Sequence, residues 1–190
     1  MKKKFNLRNA ACLLIIFGML GVLLIPSSIF AAGGQKIFTT VHCKSLEGNP
    51  TGVSADRKVL IYLPPGYAEN PNTRYPVIYL LHRWGANYEF FSGRGEIYPW
   101  YEIKIIVNIP QLCDSLIAQG AIKPMIAVMP GSHDELTQGR LYVNSTGTGN
   151  WEDFIAKDIV AFADSAYRTI PQAASRGILG DFTGAAGAFN

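Results

Sequence analysis

Three short apolar runs constrain this chain most. Arg57 to Leu63 (RKVLIYL) stops hard at Pro64-Pro65-Gly66, and Tyr75 to His82 (YPVIYLLH) and Lys123 to Pro130 (KPMIAVMP) are apolar at almost every position. A strand with one wet face alternates; one apolar throughout is covered on both faces, which is the habit of central strands in sheets flanked by helices. Lys36 to His42 reads as a further β-branched strand, and Gly177 to Gly180 (GILG) as a short one. Between them lie helical patterns. Ile109 to Gln119 carries Leu112, Leu116 and Ile117 on one side and stops at Gly120. Asn150 is placed to cap a helix reaching about Tyr167, with Ile155, Ile159, Phe162 and Ala166 as its apolar stripe. Thr183 onward looks like the first turn of a small-residue helix. The alternation predicts an α/β protein with a mostly parallel sheet and flanking helices. Ligand sites in such sheets sit at the carboxyl ends of strands, here after His82, Pro130 and Gly180.

The first thirty-odd residues read as an address. A basic start (Met1 to Arg8), a 13-residue apolar run (Leu13 to Ile25), a break at Pro26-Ser27-Ser28 and small residues at Ala31-Ala32 make the layout of a secretory signal peptide. The domain expectation is therefore a leader at 1–32, cleaved near Ala31 or Ala32, and a folded part at 33–190. The run is short for a membrane span, which needs about 20 apolar residues, though an uncleaved anchor is the alternative. The formal charge of +3 comes from this leader. Without Lys2, Lys3, Lys4 and Arg8, the 17 cations become 13 against 14 anions. The remaining cations are scattered, so nucleic acid is not an expected partner. Export brings an oxidising compartment, in which Cys43 and Cys113 can either pair or remain two buried thiols; the second reading is preferred. The two cysteines after the leader, with no histidine pair at ligand spacing, give no metal site, and no cofactor is expected.

The strings RKVLIYLPPGYAENPNTRYPVIYLLHRWGAN, LIAQGAIKPMIAVMPGS, GNWEDFIAKDIVAFADSAYRTI and SRGILGDFTGAAGAF occur in this order over roughly residues 40 to 190. In that order they resemble the opening of the Putative esterase family of α/β-hydrolases. This family holds esterase D-like enzymes, feruloyl and acetyl-xylan esterases, and mycolyl transferases of the antigen 85 type. The resemblance implies an α/β-hydrolase sheet and a Ser–His–Asp/Glu triad whose serine stands in a G-x-S-x-G nucleophile elbow.

Carried over residue by residue, that elbow is Gly180-Asp181-Phe182-Thr183-Gly184, with Phe182 at the nucleophile position. A phenyl ring cannot attack an ester. Asp181 and Thr183 stand one step off, where a tight turn points side chains elsewhere. The family's His-Gly loop reads His82-Arg83-Trp84-Gly85, which puts a long cation into the oxyanion loop. Family triads place acid and base after the elbow, whereas His42, His82 and His133 all precede it. The expectation is an N-terminal portion of an esterase domain, cut after the elbow strand and without catalytic residues of its own. The elbow strand would then be an open edge prone to self-association. The intact relative would act on a small ester or an acylated carbohydrate. The alternatives are a non-catalytic glycan or aryl-ester binder and a non-functional gene fragment.

Other residues draw plainer readings. Ser132-His133-Asp134 holds the three triad residue types in a row, but triads are assembled from separated segments, so it is read as a polar loop. His82 is read as a strand-end anchor. Trp84, Tyr88, Phe90, Phe91, Tyr98, Trp100 and Tyr101 form an aromatic stretch, read as packing before ligand platform. Asn144-Ser145-Thr146 is a glycosylation sequon.

Overall fold

The computed structural model describes residues 33–94, 97–98, 103–104, 107–133 and 140–189, with backbone alone at 97, 98, 103 and 104. The expected leader at 1–32, with Cys12, Ala31 and Ala32, lies outside the described residues, as do Trp100, Tyr101 and Asp134. Nine strands occur among the described residues. They are β1 (Gln35–His42), β2 (Asp56–Leu63), β3 (Val77–Leu81), β4 (Ile97–Tyr98), β5 (Ile103–Lys104), β6 (Ile126–Pro130), β7 (Asn144–Ser145), β8 (Gly149–Asn150) and β9 (Arg176–Gly180). Five build one sheet in the order β1-β2-β6-β3-β9; β4–β5 and β7–β8 are two-residue ladders. β3 is parallel to both β6 and β9, while β2 is antiparallel to β1 and β6. The fold class is thus α/β, with parallel strands at the half of the sheet where the site lies.

Alternation along the strands divides the core in two. Val59, Ile61, Val77, Tyr79, Leu81, Ile126 and Val128 point to one face, and Leu60, Tyr62, Leu80, Ala127 and Met129 to the other. Helix α1 (Ile109–Ala118) and the segment from Ala86 to Phe91 cover the second face. A longer helix, α2, covers the first. It runs through Trp151–Asp153, a π-helical stretch Phe154–Ile159, and Val160–Ala166. The last helix, α3 (Thr183–Ala188), packs on β9 and β3.

The sequence-derived elements are all present, with three differences of detail. In α1 the packed side is Pro110, Cys113 and Ile117, and Leu112 faces out. In α2 the fully buried row is Trp151, Ile155, Ile159 and Ala163; Phe162 is half-buried against the same cluster, and Ala166 is exposed. The π stretch lengthens the turn, so an i, i+4 row stays on one face where a 3.6-residue period would carry it off. Asn150 makes no side-chain cap; the Asn144 carboxamide oxygen accepts from the Glu152 and Asp153 N–H groups at 3.1 and 3.2 Å. The sequon asparagine is therefore the side-chain cap of α2.

The pairing of Cys43 with Cys113 is overturned. Both thiols are free and buried, one in each of the two clusters on opposite faces of the sheet. Burial pushes the Cys43 thiol up to about 12, and raises that of Cys113 too. Both behave as small apolar side chains.

Candidate functional site

Parallel register brings the carboxyl ends of β3 and β9 together, with Leu81 level with Gly180. β9 enters α3 through a turn of two residues, Asp181 and Phe182. Phe182 has φ 53° and ψ −107°, a left-handed conformation that glycine adopts readily and phenylalanine rarely. The residue is 73% exposed. Steric crowding explains the flanking glycines. A Cβ on Gly180 would lie 1.9 Å from the Gly184 carbonyl oxygen, and one on Gly184 would lie 2.0 Å from that of Leu81. Both contacts are backbone against backbone, so nothing can swing aside. The Asp181 N–H donates to the Leu81 oxygen at 3.1 Å, tying the turn to the end of β3. A sharp strand–turn–helix with one strained residue at its tip has the shape of a nucleophile elbow.

The loop after β3 is latched to this turn. Arg83 forms an ion pair with Asp181, and the Trp84 N–H donates to the Thr183 hydroxyl at 2.6 Å. In α/β-hydrolases an N–H from this loop helps hold the oxyanion. Here the Trp84 N–H points at a hydroxyl of the chain itself. Trp84, Leu141, Val143, Thr148, Trp151 and Phe182 line an open cleft of about 570 Å³ over the turn.

His82 sits beneath the latch and is 1% exposed. Its Nε2 accepts the Ser132 N–H at 2.9 Å, so Nε2 is unprotonated and Nδ1–H donates to the Arg83 carbonyl at 2.9 Å. Burial pulls the imidazole down to about 4, partly opposed by that carbonyl bond. The Ser132 hydroxyl lies 3.2 Å from Nε2, which brings a serine and a histidine together. The pair is sealed, Nε2 already takes a backbone proton, and so weakly basic a ring draws little from a hydroxyl at neutral pH. The Tyr142 hydroxyl donates to the His82 carbonyl at 3.1 Å, and Tyr142, itself at φ 60°, packs under Gly187 of α3. His82 therefore ties together the ends of β3 and β6 and the loop bearing Tyr142.

Sequence reasoning located Gly180, Phe182, Gly184, His82 and Arg83 at this place. It missed Ser132 as the partner of His82, and missed Tyr142, Leu141 and Val143; a tyrosine within a glycine-rich polar loop was the only signal. Of the described aromatic side chains of that stretch, Phe90 and Phe91 are core residues and Trp84 lines the cleft. Tyr88 flanks a separate pocket of about 350 Å³ with Lys58 and His133. Among the described residues no group of three or more His, Cys, Asp or Glu is placed to hold a metal ion.

Sheet order, the strained turn between two obligatory glycines and the cleft above it define the α/β-hydrolase class. The family is defined as well: residues 51–190 match the family model described as Putative esterase, and the chain belongs to that family. Two xylan-degrading enzymes are similar in sequence. Endo-1,4-beta-xylanase Y of Acetivibrio thermocellus is 25% identical over 119 residues, 63% of this chain and 9% of that protein. An endo-1,4-beta-xylanase/feruloyl esterase of Xylanibacter ruminicola is 38% identical over 72 residues, 36% of this chain and 8% of that protein. Among solved structures, a ferulic acid esterase superposes with a TM-score of 0.67 at 24% identity, over 82% of this chain and 53% of its own. An S-formylglutathione hydrolase of Agrobacterium tumefaciens gives 0.58 at 14% identity, over 82% and 52%. The chain thus spans about half the length of these structures and under a tenth of the curated relatives.

Proposed function

We propose that this chain is an exported esterase-family module of the feruloyl or acetyl-xylan type whose 190 residues carry no acyl-transfer chemistry. The observation that carries the reading is Phe182: a benzyl side chain occupies the strained tip between Gly180 and Gly184, where an attacking oxygen belongs. One further feature supports it: the loop N–H of Trp84 is directed to the Thr183 hydroxyl. Export rests on the three-part leader read at 1–32. The ester class rests on the family and on the feruloyl esterase named among the relatives.

The test is hydrolysis of p-nitrophenyl acetate and methyl ferulate by the full chain. The expected rate equals that of a boiled control, and a fluorophosphonate probe leaves no adduct in the mass spectrum. Turnover, or an acyl adduct on any side chain, overturns the reading.

The cleft favours a second reading, retention of an aryl ester or acylated glycan without turnover. Trp84, Leu141 and Phe182 expose apolar surface to it. Calorimetric titration with methyl ferulate and acetylated xylo-oligosaccharide decides it, since a binder gives a saturable heat that Trp84→Ala removes.

A further inference from the structure

Where the leader gives way to the folded part, the main chain meets a carboxylate. The Gly34 N–H donates to Asp114 Oδ1 of α1 at 2.9 Å, and a Cβ on Gly33 would lie 3.0 Å from Oδ2, so one carboxylate faces both glycines. The Tyr62 hydroxyl of β2 donates to the same Oδ1 at 2.6 Å. Asp114 is half-buried, and both donors are neutral. Gly34 is wedged in place. A Cβ there would lie 2.1 Å from Tyr62 Cε2 and 2.6 Å from the Leu63 carbonyl oxygen, and the next residue, Gln35, opens β1 opposite Leu63. Secretory leaders are cut after a small residue that has another small residue two positions before it. Cuts after Ala31 or Ala32 would put Ile29 or Phe30 at that earlier position; a cut after Gly33 puts Ala31 there.

We propose that the leader is removed between Gly33 and Gly34, one residue past the expected boundary, and that the α-ammonium so formed pairs with Asp114. The inference rests on the export reading above. A leader peptidase hydrolyses the bond. The water oxygen joins the Gly33 carbonyl carbon, the C–N bond breaks, and both water protons end on the Gly34 nitrogen, which leaves a carboxylate and an ammonium. Because folding wedges Gly34 against Tyr62 and Leu63, the cut precedes the closing of β1. An exposed ion pair is weak because two long side chains must be fixed in one geometry. Here the cation is a main-chain atom already held beside Oδ1, and its acceptor is half-buried. The Tyr62 phenol and the Cys113 thiol nearby are both pushed up by burial and stay neutral, so the charge that faces the ammonium is that of Asp114. Processing turns a neutral hydrogen bond into a charge-assisted one and fastens the start of β1 to α1.

Expression of the full chain in a secreting bacterial host tests the inference. The exported product is expected to start at Gly34 by intact mass. Competitive acetylation across pH, read on the N-terminal peptide, should place its α-amine at least about one unit above the ordinary 7.7–8.0. The same amine in urea-unfolded protein should titrate at the ordinary value, a reference that needs no variant. Asp114→Asn should return the folded amine to that value. A chain retained with its leader attached would overturn the export reading, and this proposal with it. An exported chain that starts at another residue, or a Gly34 amine that titrates alike in folded and unfolded protein, overturns the proposal alone and leaves export standing.

Discussion

β3 and β9 lie side by side in parallel, and their ends are finished in opposite ways. β3 ends in His82, buried, neutral and bonded on both ring nitrogens. β9 ends in Phe182, exposed and held at φ 53°. At the first end, conformation follows from the side chain, because the imidazole makes the contacts. At the second, the side chain contributes nothing to the turn. Gly180, Gly184 and the Asp181–Leu81 bond impose the shape, and Phe182 takes what remains. The contrast teaches that an elbow is a property of its neighbours. The shape of the turn is set by backbone contacts and not by the residue at its tip.

If the neighbours make the turn, the largest loss follows from filling their space. Gly184→Ala puts a methyl group into the Leu81 carbonyl, and a cost upwards of about 3 kcal/mol is expected in denaturant unfolding. A loss under about 1 kcal/mol would mean that the turn is not set by this contact.

His82→Ala comes next. It leaves the buried Ser132 N–H without its acceptor and opens a void, at about 2–4 kcal/mol. The same histidine gives a pH signature. Its folded value is depressed to about 4 from 6.5, so the unfolded chain binds the proton first as pH falls. Stability is complete above 6.5 and declines down to about 4, by of order 3 kcal/mol at 1.36 kcal/mol per unit. The His82→Ala variant should lose that part of the slope; an unchanged slope would assign it elsewhere.

At the other end, Phe182→Gly should stabilise the chain by about 1 kcal/mol, because glycine takes φ 53° at little cost and the lost ring was exposed. Destabilisation would show that the ring packs in solution.

The smallest effect provides a control of opposite sign, far from both ends. His42 sits exposed between Glu47 and Asp56, at 2.8 and 2.7 Å, and hydrogen bonds to them raise its proton affinity above the ordinary value of 6.5. The benefit is complete below 6.5 and disappears as pH rises through the raised folded value. His42→Ala should therefore be slightly less stable than the parent in acid and equal to it in alkali.

The sequence by itself determined the strands, the helices and the frame Gly180-Asp181-Phe182-Thr183-Gly184. Apolar runs, glycine stops and helical spacing are local signals, read without knowing what lies across the fold. Only the tertiary structure decided which distant residues meet. Strand order places β6 beside β3, and that brings Ser132 to His82 across fifty positions. The sheet separates Cys43, packed in one core cluster, from Cys113, carried by α1 into the other. A π stretch of α2 shifts its buried row, and a hairpin delivers Asn144 to cap it. Each of these depends on where a backbone runs relative to a segment far away in the chain. Spacing along one polypeptide does not encode that; the packing of the whole sheet does.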